Sequence, residues 1–306
     1  SSPGIFFRPQ VPLDDADVAI IGIPWDGTVS NRPGARFGPE AIRASTLGVE
    51  DYSPWSGRDI SRLAVHDAGD VEMPYGDSAA CLDMIGEEYA RLAPKKVVAL
   101  GGEHLVTWPM VRVLHERFGS DLFVIQFDAH ADLREHYLSV RESHATVMNL
   151  VGGLLGRENT ASVGIRSGTP EEWDVLRDHP RYYGGALGRP LDAFAELGAG
   201  ILAGRKVYLT IDLDVFDPAA MPGTGTPEPG GIFFPEFVKL LRSLRGLDIV
   251  GADIVELAPD YDSSGISAAL AATVLREVLL LTTGDVGSIP RAQVQTERPA
   301  SDGTTN

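Results

Sequence analysis

The sequence predicts an α/β fold in which a parallel sheet carries helices on both faces. Two patterns predict it. Short apolar, β-branched runs alternate with longer segments of helical period, as repeated strand–helix–strand units do. Several of those runs, Val97–Leu100 and Val207–Ile211 among them, lack polar alternation, as expected of strands buried on both faces.

Taken in order, strands are expected at Val18–Pro24, Ala64–Asp67, Val97–Leu100, Leu122–Phe127, Ala161–Ile165, Val207–Ile211 and Ile249–Val255. Helical patterns fall at Pro39–Leu47, Ser78–Ala93, Trp108–Phe118, Pro170–Arg177 and Pro235–Leu244. Pro39, Pro170 and Pro235 each stand where a helix would begin, which suits a fixed φ and a missing N–H. The last apolar stretch, Ile266–Leu281, is interrupted by Arg276 and Glu277 and is too short to span a bilayer, so it reads as a C-terminal packing helix. No Pro/Gly/Ser-rich linker divides the chain, and residues 1–284 read as one domain. The tail 285–306 is polar and patternless, and is expected to be poorly ordered.

The 26 basic and 43 acidic side chains give a formal net charge of −17. Such a charge argues against nucleic acid and anionic membranes as partners and favours a cationic substrate. Cys81, the one cysteine, lies in S-A-A-C-L-D-M-I, a helix core position suited to a structural thiol. No intrachain disulfide can form, and with no signal-like start the expected location is a reducing cytoplasm.

Three short runs carry the chemistry: G-G-E-H at 101–104, D-A-H-A-D at 128–132 and D-L-D at 212–214. Each follows an expected strand, and the carboxyl ends of parallel strands form the crevice where α/β proteins bind ligands. Strand alternation would point Asp128, His130 and Asp132 together, and likewise Asp212 and Asp214, with His104 joining from a third strand. A single D-x-D at a strand end is usually a turn or capping device. Three such runs at one sheet edge are not explained that way. Four carboxylates cannot share a pocket ionised without cations, and two divalent ions would neutralise them. An oxygen-rich set with two imidazoles suits Mn²⁺, with Zn²⁺, Fe²⁺ and Co²⁺ as competitors, and does not suit an all-oxygen Ca²⁺ loop. Six residues suffice for two ions if two aspartates bridge.

At these residues the chain resembles the ureohydrolase (arginase/agmatinase) family, most of all its agmatinases. The matching pieces, in order, are N-R-P-G-A-R-F-G-P-E-A-I-R at 31–43, the three runs above, D-L-D-V-F-D-P at 212–218, P-G-T-G-T-P-E-P-G-G at 222–231 and V-E-L-A-P-D-Y-D at 255–262. The resemblance implies a three-layer α/β/α sandwich with a central, mostly parallel sheet. It also implies two Mn²⁺ per subunit and hydrolysis of a guanidinium group to urea and an amine. By the same resemblance His104, Asp128, Asp132 and Asp212 would hold one ion, and Asp128, His130, Asp212 and Asp214 the other. Glu256 would bind the guanidinium, and His144 would shuttle the proton to the leaving amine. A homo-oligomer, trimer or hexamer, is the family's habit.

Two departures stand out. Glu103 occupies a position where the family usually has Asp, and Ala145 replaces the glycine of H-G-T. The loop 133–143, L-R-E-H-Y-L-S-V-R-E-S, lacks the arginase pattern, which disfavours arginine and favours agmatine. Arg134 and Arg141 leave room for a guanidino acid such as 4-guanidinobutyrate or a proclavaminate-like substrate. A two-metal phosphoesterase is the competing enzyme class, and it would need basic phosphate clamps beside the metals. Among the other histidines, His136 is expected in a solvated loop, and His66, His115 and His179 carry no assigned role.

Overall fold

The computed structural model describes residues 5–7, 10–74 and 76–284, so the expectation for the 285–306 tail falls outside the described residues. Eight strands form the main sheet: β1 (Val18–Ile23), β4 (Val65–Asp70), β5 (Lys96–Gly101), β6 (Leu122–Phe127), β7 (Thr160–Val163), β8 (Tyr182–Tyr183), β9 (Lys206–Asp212) and β10 (Asp248–Val255). A small antiparallel hairpin, β2 (Tyr52–Ser53) with β3 (Arg58–Asp59), stands apart. The sheet order is β4-β1-β5-β10-β9-β6-β7-β8, and each neighbouring pair runs parallel.

The helices are α1 (Gly38–Ser45), α2 (Ser78–Leu92), α3 (Thr107–Phe118), α4 (Val147–Leu155), α5 (Pro170–Arg177), α6 (Ala195–Ala199), α7 (Phe234–Ser243) and α8 (Ile266–Thr282). Alternate residues of each strand feed opposite cores. Phe123, Ile125 and Phe127 of β6 pack with Ile42 of α1, Phe237 and Leu241 of α7, and Ala271 and Val278 of α8. Leu122 and Val124 point the other way, to Ile85 of α2, Met110 and Leu114 of α3, and Val151 of α4. The result is the expected α/β/α sandwich, its strands apolar on both faces because helices cover both.

Every expected strand and helix is present within a few residues. Pro39, Pro170 and Pro235 lie in the first turn of α1, α5 and α7. Five of these strands and helices, β2, β3, β8, α4 and α6, had no expectation. The hairpin and β8 are two-residue strands, too short to show a period, and α6 has five residues. In α4 the nine-residue run V-M-N-L-V-G-G-L-L is short, apolar nearly throughout and holds two glycines, so it announces no helix. Arg276 and Glu277 are a buried ion pair (2.8 Å), with Ser53 donating to Glu277 (2.9 Å) and Arg276 donating to the Glu50 carbonyl (2.7 Å). They tether the hairpin region to α8. Among the described residues no helix is long and apolar enough to cross a membrane. Cys81 is buried in α2, as expected, with its thiol on the Pro74 carbonyl.

The middle of the sheet positions the site. β5, β10, β9 and β6 are consecutive neighbours, and the three ligand-type runs and Glu256 leave from their carboxyl ends. Below that edge, Phe127 packs edge-on against Phe237 at 5.5 Å and Phe194 at 6.0 Å, a stiff apolar floor under Asp128.

Candidate functional site

The three runs converge as expected. The His104 Nδ1 atom lies 3.1 Å from Asp128 Oδ2, 3.1 Å from Asp132 Oδ2 and 3.4 Å from Asp212 Oδ2. His130 Nδ1 lies 2.9 Å from Asp214 Oδ2 and 3.8 Å from Asp128 Oδ1. Ligand atoms of His104, Asp128 and Asp132 form one compact group, and those of Asp128, His130 and Asp214 another, with Asp128 in both. The six residues therefore make one continuous cluster.

The route to convergence differs from the expected strand pleat. β6 ends at Phe127, before the D-A-H-A-D run, and β9 ends at Asp212, after which Leu213–Val215 form a 3-10 turn. Asp132 has φ +54°, a left-handed conformation, and His130 is held by a bridge to Ser167. Glu256 also departs from strand alternation. It follows β10 with φ +67°, its N–H donating to the Gly102 carbonyl (2.8 Å), so a left-handed turn directs its carboxyl instead of the pleat that carries Ala252 and Ile254. Two residues with Cβ atoms in this region store strain of order 1–3 kcal/mol each, held by the surrounding structure.

The His104 imidazole is oriented from behind. His104 Nε2 lies 2.8 Å from the Thr210 hydroxyl, which donates to Asp253 Oδ1 (2.8 Å). Thr107 and Tyr208 hydroxyls donate to Asp253 Oδ2 at 2.9 and 2.7 Å. Thr210, having given its proton to Asp253, accepts from His104 Nε2–H, so a metal that displaced the ring's other proton would meet the Nδ1 lone pair aimed into the cluster. That buried Nδ1 makes no aligned hydrogen bond despite its close carboxylates. An unpartnered buried nitrogen facing three carboxylates is what a cation site presents. Gln126 fixes Asp128 from below, its amide donating to Asp128 Oδ2 (2.8 Å) and to the His130 carbonyl (3.1 Å). One guanidinium, that of Arg166, donates to the carbonyls of Asp214 (2.7 Å), Glu228 (2.7 Å) and Gly164 (3.1 Å), tying the D-L-D turn to the P-G-T-G-T-P loop.

The electrostatics call for cations. Burial, with Asp132 and Asp214 adding to it, pushes the Asp128 carboxyl up to about 7. Burial and Asp214 raise Asp212 well above the usual range. Burial acts to raise Asp214 too, but His130 and the Ala129 N–H draw it below the ordinary carboxylate value. Burial opposes charge on His130, yet Asp214 and Asp128 outweigh it and lift the imidazole to about 10. Without a metal, protons thus serve as the counter-charge; two divalent ions would displace them. The donor set, nitrogen and oxygen in mixed array, fits such ions.

Glu256 and His144 sit over the cluster and line the same cavity, about 240 Å³, with Ser30, Arg134, Tyr137 and Thr226. Glu256 Oε1 accepts the His104 backbone N–H (2.9 Å), and burial pushes its carboxyl up to about 8. A bound cation would restore its charge. Burial lowers the His144 imidazole below its ordinary value, which leaves it neutral at pH 7. Its ring meets Tyr137 edge-on at 5.4 Å. The Gly/Pro loop shapes the cavity as expected: Thr226 lies 3.4 Å from Asp214 Oδ2, and Asn31 of the N-R-P-G motif donates to the Gly225 carbonyl (3.1 Å).

Not every candidate enters. Arg134 lines the cavity, its guanidinium 4.8 Å over the Tyr137 ring and 3.5 Å from Glu172. Arg141 and His136 are exposed and away from it, the latter as expected. Glu103 stays out of the cluster; its carboxylate faces Thr28 instead. The supporting residues Gln126, Thr210 and Asp253 had no expectation. Their signal was a polar side chain inside an otherwise apolar strand run.

The fold sets a His/Asp cluster that could hold metal at the carboxyl edge of its sheet, and the comparisons place the chain. The Arginase family profile matches residues 16–281, and the chain belongs to that family. Within it, the chain stands with the agmatinase-type ureohydrolases. It is 42% identical over 281 residues to the agmatinase of Bacillus cereus, covering 90% of this chain and 95% of that one. The agmatinase of Pyrococcus horikoshii is 38% identical, with 85% and 91% covered. A crystal structure from Clostridium difficile, described as a candidate agmatinase, superposes with TM-score 0.83 at 40% identity, covering 89% and 99%. Proclavaminate amidino hydrolase from Streptomyces clavuligerus superposes with TM-score 0.77 at 32% identity, covering 92% and 97%.

Proposed function

We propose that the site hydrolyses agmatine to putrescine and urea with two manganese ions. His104, Asp128, Asp132 and Asp212 would hold one ion, and Asp128, His130, Asp212 and Asp214 the other. The observation that carries the reading is Glu256, a buried carboxylate in the same cavity wall as the cluster. When bound, the ions supply counter-charge and make water acidic enough to furnish hydroxide near neutral pH.

The chain's own residues do the rest. The ionised Glu256 carboxylate accepts two N–H bonds from the planar guanidinium and fixes its carbon toward the cluster. His144, neutral at the outset, takes up the proton released by the attacking water and delivers it to the departing amine nitrogen. The acidic surface favours the approach of a dication. The names of the relatives at about 40% identity support agmatine over other guanidines.

One observation favours a second substrate class: Arg134 lines the cavity, where it would meet the carboxylate of a guanidino acid. Its contacts with Tyr137 and Glu172 argue that it is already engaged. The test is to strip metal with a chelator, restore Mn²⁺, and assay urea from agmatine, arginine and 4-guanidinobutyrate. Agmatine should be preferred. Absence of Mn²⁺-dependent urea from all three would overturn the proposal.

A further inference from the structure

Thr28, on the loop after β1, lies outside every ligand run and takes no part in the reaction assigned above. Three segments meet at its hydroxyl. Oγ1 donates to Glu103 Oε1 (2.5 Å) and accepts the backbone N–H of His144 (3.1 Å), and it lies 3.3 Å from His144 Nδ1. The Thr28 backbone N–H donates to Glu103 Oε2 (3.0 Å), so the Glu103 carboxylate takes both of the residue's protons. A hydroxyl has a single proton. With the Glu103 carboxylate ionised and taking that proton, Thr28 offers His144 only lone pairs, and the ring nitrogen facing it carries the hydrogen.

We propose that Thr28, anchored by Glu103, is a positioning residue for proton transfer at His144: it holds the imidazole hydrogen on Nδ1 and leaves Nε2 free to exchange protons in the cavity. The proposal rests on the assignment of His144 as the proton shuttle. Neighbouring contacts reinforce the geometry. His144 opens a 3-10 turn closed by a Ser143–Thr146 capping box, which fixes its backbone. Ser143 Oγ lies 3.3 Å from the same Nδ1, and the Tyr137 edge limits ring rotation. The tautomer of a histidine is set by the partner of its other nitrogen, and a wrong tautomer removes the acceptor the reaction needs. Glu103, whose extra methylene distinguishes it from aspartate, thereby acquires a role distinct from metal binding. Its side chain reaches the loop that carries Thr28.

The test uses the full chain and the variants T28V, T28S and H144N. T28V keeps the shape of the side chain and deletes the hydroxyl. General acid–base groups contribute roughly 100- to 10,000-fold, so losing their alignment should cost T28V about tenfold or more in kcat for Mn²⁺-dependent urea release. KM and bound metal should stay within about twofold of the original, and T28S should recover most of the loss. The second readout is the ¹⁵N spectrum of the His144 imidazole in protein freed of paramagnetic ions. It should show Nδ1–H in the original chain and T28S, and a mixture in T28V. Unchanged kcat in T28V, or Nε2–H in the original chain, would overturn the proposal, and the second result needs no variant to fold. If H144N retains full urea release, the shuttle assignment fails, whereas the spectrum still reports on Thr28 separately.

Discussion

Replacing Thr210 by valine should weaken metal binding without disturbing the fold. The side chains are nearly the same in shape, and Val suits the middle of β9, where Thr210 is fully buried. What disappears is one acceptor: His104 Nε2 loses its 2.8 Å partner and Asp253 loses the 2.8 Å hydroxyl donor. A buried N–H left unpaired costs about 1–3 kcal/mol. Loss of a supporting partner to a metal-bound histidine typically costs about 10- to 100-fold in affinity. At about 1.36 kcal/mol per tenfold, the two estimates agree near 1.4–2.7 kcal/mol. The measurement is Mn²⁺ affinity by competition with a chelating dye, with thermal melting as a control for folding. T210S, which keeps the hydroxyl, should bind like the original chain. Affinity of T210V within twofold of the original would refute the argument that the hydroxyl–carboxylate network fixes the His104 tautomer.

Three further outcomes follow from the site. E256Q removes the charge that faces the guanidinium, and since a hydrogen bond to a charged group is worth about 1.5–3 kcal/mol, kcat/KM for agmatine should fall about 10- to 100-fold or more, with metal content unchanged by elemental analysis. Burial lowers the His144 imidazole, so its neutral form persists below the ordinary value of 6.5 and the acid limb of the kcat/KM–pH profile should have its midpoint below 6.5; a midpoint above it would count against His144 as the shuttle. Because the facing carboxylates raise His104 and His130, metal entry must expel protons: adding Mn²⁺ to metal-free protein near neutral pH should release acid in a pH-stat, and affinity should fall as pH is lowered.

How far the sequence carried this picture depends on what each residue needs around it. β1, β5, β6 and β9 were legible because a strand buried on both faces must be apolar throughout, and the chain has few other reasons to be so. The ligand-type residues were legible from their type and spacing alone. Their directions were not. Asp132 and Glu256 take left-handed backbone conformations that the loops around them impose, and no periodicity announces a single such residue. Thr28 was invisible for a related reason: its two partners, Glu103 and His144, are 75 and 116 residues away in sequence. Asp253, inside D-I-V-G-A-D-I-V, drew no expectation although it left a trace: an apolar strand tolerates an acidic residue only when donors await it.

The sheet order has a consequence for how the protein matures. β5, β10, β9 and β6 lie side by side in space but belong to chain segments separated by up to a hundred residues or more, so the site's parts stay scattered until the parallel sheet has closed. Before closure, the chain offers a metal only short local runs, D-A-H-A-D and D-L-D, loose chelates with no support behind them. A cation bound by the complete set stabilises the assembled state alone, by mass action, and leaves earlier intermediates almost unaffected. Metal supply then acts late, as a check on folding already accomplished: starvation should yield intact but easily opened molecules, and resupply should rescue them without refolding.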